Sequence, residues 1–183
     1  TMNHFCEMLP SSLRQLFLNH IFVSSSMTNP ALKENIDQIK EFISDMIPLL
    51  HKPDDTIIEE GDKGKYFYCL AVGKCSVLHK NYPNCPNEKP KMLKAGDYFG
   101  ELSLIFNCRR TCSIKSQNYS TLARIEQDKF LKSSRQFILQ LRNETLNYKD
   151  RYKCVKLEML KTIDYLEVHS YDQSKIHMFY DII

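Results

Sequence analysis

The spacing of apolar positions divides the chain into three parts. Residues 1–28 read as helix: Leu13, Leu16, Phe17, His20 and Ile21 recur every three to four residues after the helix start Pro10-Ser11-Ser12. The serines at 24–26 mark a break. Asn29-Pro30 then supplies an N-cap and a first-turn proline. Leu32, Ile36, Ile39, Phe42, Ile43, Met46 and Ile47 run down one face of a second helix, which Pro48 is expected to end. From Lys52 the period changes. Aromatic and β-branched runs predict strands beginning at Thr56-Ile57-Ile58 and covering 66–72, 75–79, 91–94, 114–116 and 122–125. Turns fall at 53–55, 60–64, Gly73, 95–97 and Asn118, and 81–90, NYPNCPNEKP, reads as a surface loop. Gly61, Gly64, Gly73, Gly96 and Gly100 all lie in this middle block, where the tight turns are needed. After Asp128, an expected N-cap, the helical period returns. Phe130 and Leu131 open it, and Ile138, Leu141, Thr145, Tyr148, Tyr152, Val155 and Met159 form a stripe long enough to require a surface to close over. Residues 167–183 carry no clear pattern.

Composition narrows this picture. A chain of 183 residues suits one domain with appended helices, and 43% hydrophobic residues is ordinary for a globular protein. No run of apolar residues is long enough to span a bilayer, and residues 1–9 lack the features of a secretory signal. A net charge of +3 argues against a dedicated nucleic-acid binder. Seven cysteines occur without a CxxC, and the Cys108/Cys112 pair has no nearby histidine, so we expect no metal site and reduced, mostly buried thiols. Thr1 stands before Met2, so the chain reads as a piece of something larger.

The chemistry concentrates in residues 98–116, YFGELSLIFNCRRTCSIKS. Gly100 allows a sharp turn and close approach of a ligand, because it has no Cβ. The apolar turn that follows offers backbone N–H groups at its start. Glu101 can accept from sugar hydroxyls, and Arg110, nine residues on, is a permanent cation whose planar fork fits phosphate oxygens. Together they form a sugar-plus-phosphate clamp; the competing reading is a structural ion pair. No nucleophile–base pair or HExxH-like set is present, so we do not expect an enzyme.

FGELSL and RRTCSI resemble the phosphate-binding cassette of cyclic-nucleotide-binding domains, and IIEEGD followed by YFYCLAVGKCSVL resembles the early strands of the same family. The resemblance implies an α+β fold, an antiparallel β-roll (jelly roll) at 52–126 with N-terminal linker helices at 1–50 and C-terminal lid helices at 128–166. Residues 51–166 would be the binding domain and 167–183 a tail. It implies Glu101 on the ribose 2′-hydroxyl and Arg110 on the cyclic phosphate, with backbone N–H groups of Gly100, Leu102 and Ser103 completing the cradle. Thr111 would face the 2-amino group of a guanine. Asp150-Arg151 aligns with the lid Asp-Arg pair of cyclic-nucleotide-gated channels, placing Arg151 at the purine edge and Val155 on its face; alternatively Arg151 is an ordinary solvated charge. The ligand would be a cyclic purine mononucleotide, cAMP or cGMP, with no cofactor.

Arg109-Arg110-Thr111 matches the Arg-Arg-Thr of gated cation channels rather than the Pro-Arg-Ala of many kinase subunits. LPSSLRQLFLNHIF and NPALKENIDQIKEFISDMIPLL resemble the linker between channel pore and sensor, although the serines at 24–26 depart from it. The expectation is therefore the cytosolic part of a cyclic-nucleotide-gated or hyperpolarization-activated type of potassium or cation channel. It would lie on the cytoplasmic side of a membrane, joined to a pore and tetrameric in the whole protein. The alternative is the regulatory domain of a cyclic-nucleotide-dependent protein kinase.

Overall fold

The computed structural model describes residues 8–23, 28, 30–34, 40, 43, 45–79, 91–133 and 135–147. Helix α1 (Ser11–Leu18) runs into a π-helical turn, Asn19–Val23, and α2 (Pro30–Glu34) follows. Eight strands come next: β1 (Ile47–His51), β2 (Thr56–Ile58), β3 (Tyr66–Val72), β4 (Lys74–Leu78), β5 (Lys91–Lys94), β6 (Tyr98–Phe99), β7 (Ser113–Ser116) and β8 (Ser120–Glu126). Between β6 and β7 lies the short α3 (Glu101–Ile105), and α4 (Gln127–Ser133) and α5 (Arg135–Asn147) follow β8. The strands form two four-stranded antiparallel sheets, ordered β1-β8-β3-β6 and β2-β7-β4-β5. This is an antiparallel β-roll with helices at both ends of the described chain.

The two-residue period of β3 explains how the layers meet. Tyr68 and Leu70 turn inwards and pack with Leu49, Ile58, Cys75, Leu93, Phe99, Ile114 and Leu122 between the sheets. Phe67, Cys69 and Ala71 turn outwards, with Ala123 and Ile125 of β8, and are covered by Leu18, Phe22, Leu32, Ile43, Met46, Phe130, Phe137 and Leu141 from the helical segments. Phe67 is fully buried and stacks on Phe130 at 4.4 Å between centroids. One sheet therefore carries the roll interior on one face and the helices on the other.

Several expectations need correction. The run to Ile47 is not helical throughout: Ile47–His51 is a strand, and Pro48 lies inside it, paired with Ala123, rather than ending a helix. Proline is tolerated there because β1 is an edge strand and spends no ladder hydrogen bond on its missing N–H. Asp128 is not an N-cap. It lies in the first turn of a helix that begins at Gln127, whose N–H donates to the Lys65 carbonyl at 2.9 Å, so β8 passes straight into α4. Phe137, outside the expected stripe, is buried as deeply as Leu141 and Thr145 within it, whereas Ile138 is only partly buried. The strands expected at 75–79 and 122–125 run 74–78 and 120–126. Ile36, Ile39, Phe42, the 81–90 loop, Tyr148, Tyr152, Val155 and Met159 lie outside the described residues. Among the described residues no helix is long and apolar enough to cross a membrane.

Candidate ligand-binding site

The chain leaves β6 at Phe99 and turns at Gly100, whose φ of 86° lies in the left-handed region that only glycine adopts freely. A Cβ built there would stand 2.7 Å from Arg110 Nη1 and 3.1 Å from the Tyr66 carbonyl oxygen. The glycine is therefore required twice, by the backbone turn and by the arginine lying against it. Helix α3 starts at once, with Glu101, Ser103 and Leu104 buried and Leu102 half-buried.

Arg110 returns to this corner from the other side. Its backbone N–H donates to Asp62 O at 2.8 Å and its carbonyl accepts from Gly61 N–H at 2.9 Å, which ties it to the turn between β2 and β3. Its neighbour Arg109 donates from Nη1 to Gly61 O at 3.1 Å. The Arg110 side chain is 5% exposed. Nη1 donates to Gly100 O at 2.7 Å and to Ser103 Oγ at 2.8 Å, and Nη2 donates to Tyr66 O at 2.7 Å. Burial works against its charge, while the nearby Tyr68 hydroxyl and then the Glu101 carboxylate favour it. The guanidinium also lies 6.0 Å from the Tyr68 ring, which stacks on Phe99 at 5.1 Å.

Of the residues picked out in the sequence, Gly100, Glu101, Ser103 and Arg110 thus come to one corner. Leu102 sits in the same helix. Thr111 follows Arg110, half-buried, and its carbonyl accepts from His79 Nδ1 at 3.2 Å. Arg151 and Val155 lie outside the described residues.

Beside the guanidinium is a cavity of about 130 Å³, lined in part by Ile58, Lys63, Lys65, Tyr66, Tyr68 and Arg110. This is smaller than the roughly 300 Å³ at which ligand pockets usually start. Sequence reasoning missed Tyr66, Tyr68 and the lysines of this cavity. It also missed Arg124, a charge between the apolar residues Ala123 and Ile125 that the register sets opposite Tyr68. That charge was the one available signal.

Residues 49–136 match the cyclic nucleotide-binding domain family. The chain is 35% identical over 96 residues to a cGMP-dependent protein kinase of Plasmodium berghei, which covers 52% of this chain and 10% of that protein. It is 36% identical over 93 residues to the potassium/sodium hyperpolarization-activated cyclic nucleotide-gated channel 4 of Oryctolagus cuniculus, covering 49% of this chain and 7% of the channel. Among solved structures it is similar to the regulatory domain of Toxoplasma gondii PKA with cAMP, at a TM-score of 0.61 and 20% identity, over 71% of this chain and 50% of that one. The chain therefore spans a small part of the curated relatives it matches. The likenesses support a cyclic nucleotide-binding domain and its β-roll fold, and they fall on kinases and channels alike.

Proposed function

We propose that the domain senses a cyclic purine mononucleotide, cAMP or cGMP, at the corner formed by Gly100, Glu101, Ser103 and Arg110. The observation that carries the proposal is the buried Arg110 guanidinium, held against Gly100 and Ser103 at the start of α3 and supported by Glu101. A guanidinium there meets a cyclic phosphate with two donors. Glu101 takes the ribose 2′-hydroxyl, and the N–H groups of Gly100, Leu102 and Ser103 complete the phosphate cradle. Thr111, next to Arg110 in the chain, is assigned to the base on the resemblance alone. Arg151 and Val155 are assigned to the base on the resemblance alone.

Binding becomes a signal if the ligand contacts one arrangement of the helices better than another. The fold supplies a route, since α4 and α5 pack on the outer face of β3 and β8, and the corner lies at the ends of β3 and β6. Coupling of about 1–3 kcal/mol is typical of such switches. For the output, Arg109-Arg110-Thr111 and the N-terminal helices favour a pore-linked sensor in a tetrameric membrane channel. The similarity to a kinase regulatory domain favours a sensor that restrains a kinase catalytic unit. The proposal is tested by calorimetric titration of cAMP and cGMP onto the chain and its Glu101→Gln variant. Binding that weakens in the variant supports it. Absence of binding by the wild type, or an unchanged variant, rejects it.

A further inference from the structure

The outer face of the second sheet gathers positive charge that the reading above does not use. In β4 and β5 the buried Cys75 and Leu93 turn into the roll, so Lys74, Ser76 and Leu78 of β4 and Met92 and Lys94 of β5 turn out. The register sets Lys74 directly opposite Lys94, and Ser76 directly opposite Met92. On the other side of β4, Ser76 faces Lys115 of β7, which therefore shares this outer face. Like charges directly opposite one another destabilise a strand pair. Lys74 and Lys94 are both exposed, and neither has an ion pair among the described residues to offset that cost. Lys115 Nζ lies 3.7 Å from Asp54 Oδ1, but Asp54 is 84% exposed, and such a pair is weak. Two large apolar side chains stand among these cations: Met92 is 47% exposed and Leu78 is 37% exposed. The described helices cover the outer face of the other sheet, so the molecule has one covered and one basic, open side. None of these residues lines the cavity beside Arg110.

We propose that this face docks on a bilayer surface of anionic lipid. The charge is complementary: the opposed Lys74 and Lys94, unfavourable beside each other in water, become favourable against a layer of negative headgroups. The residue type selects that occupant. All three cations are lysines, compact point charges without the planar fork that holds one carboxylate or phosphate in a fixed geometry, so they suit a diffuse anionic layer better than a single acidic motif. Lysine stems are long enough to carry the ammonium to the headgroups while apolar neighbours move closer to the lipid. Met92 and Leu78 are those neighbours, and binding to such a surface grows with the apolar area buried as well as with the charge attracted. The docked face leaves the Gly100–Arg110 corner to its own ligand, so the two readings stand or fall separately.

The test is co-sedimentation of the whole 183-residue chain with vesicles of phosphatidylcholine alone and of phosphatidylcholine and phosphatidylserine in equal parts. The wild type should bind the phosphatidylserine vesicles and not the neutral ones. Binding should fade as salt rises from about 0.1 M to about 0.5 M, because exposed charges are screened. Lys74→Gln with Lys94→Gln should lower the partition onto anionic vesicles by about 30-fold, the effect of two lysines near such a surface. Lys33→Gln with Lys132→Gln removes the same formal charge from exposed positions in α2 and α4, within the helical layer, and should lower it by less than about threefold. Lys74→Arg with Lys94→Arg keeps the charge and should keep the binding, and melting curves show that each variant is folded. The inference is overturned if anionic vesicles bind no better than neutral ones, or if the two glutamine pairs weaken binding equally. It is also overturned if polyglutamate or duplex DNA binds through Lys74 and Lys94 while the vesicles do not.

Discussion

Gly100→Ala probes the corner where backbone and charge depend on each other. The new Cβ would sit 2.7 Å from Arg110 Nη1, 3.1 Å from Tyr66 O and 3.4 Å from Ile58 Cδ1, on a backbone with φ of 86°. Strain at positive φ costs a residue with a Cβ about 1–2 kcal/mol. The clash adds to it. Tyr66 O is main chain and cannot retreat far, so the guanidinium must move, giving up its bonds to Gly100 O and Ser103 Oγ. Hydrogen bonds from charged donors contribute about 1.5–3 kcal/mol each; with partial re-pairing, we expect a total loss of about 3 kcal/mol. Gly61→Ala is the matched control. Its φ is 90°, yet a Cβ there meets nothing within 4 Å, so it carries the strain without the clash. Urea unfolding of the wild type and both variants measures the difference directly. Gly100→Ala should be less stable than Gly61→Ala by about 1–2 kcal/mol and should also lose ligand affinity, which Gly61→Ala keeps. Equal destabilisation by the two alanines would refute the claim that Arg110 is packed against Gly100.

Further predictions concern the layers around that corner. Phe67→Ala removes a fully buried ring stacked on Phe130, and should destabilise the domain by about 3–5 kcal/mol in urea unfolding; a loss below about 1 kcal/mol would mean the helices do not rest on this sheet. Burial pushes the Cys69 thiol up to about 12 from an ordinary 9.0. Between those values the unfolded chain has lost a proton that the folded chain keeps, so stability falls with rising pH by about 1.4 kcal/mol per unit from this group. Cys69→Ala should flatten that slope in unfolding titrations; an unchanged slope would contradict the burial. Burial also lowers His51 below its ordinary 6.5, outweighing the Asp55 carboxylate. The unfolded chain therefore binds the proton more readily below that value, and stability should fall with acidification through it, a fall that His51→Gln reduces in the same titrations.

How much of this was legible depended on whether the relevant physics was local. Turn glycines and β-branched runs are local, and β2 to β5, β7 and β8 stand close to where the sequence places them, whereas the two-residue β6 was not among the expected strands. β1 was not legible, because its apolar run continues a helical stripe and Pro48 reads as a helix stop until the sheet order makes it an edge. The pairing of Gly100, Glu101 and Arg110 was legible because fixed offsets within one segment carry it. What Arg110 bonds was not, since the Tyr66 carbonyl and the tie to the Gly61 and Asp62 backbone come from a distant turn. Arg124 became visible only through its register with Tyr68, a relation between strands far apart in the chain.

The account stands most directly on one titration: cAMP and cGMP onto the wild type and onto Arg110→Gln, with circular dichroism melts to show that the variant is folded. The account predicts that the wild type binds at least one of the two and that the folded variant binds it about 100-fold more weakly, as the loss of two charge-assisted hydrogen bonds to phosphate requires. Equal affinity in the two proteins, or a wild type that binds neither nucleotide, would contradict it.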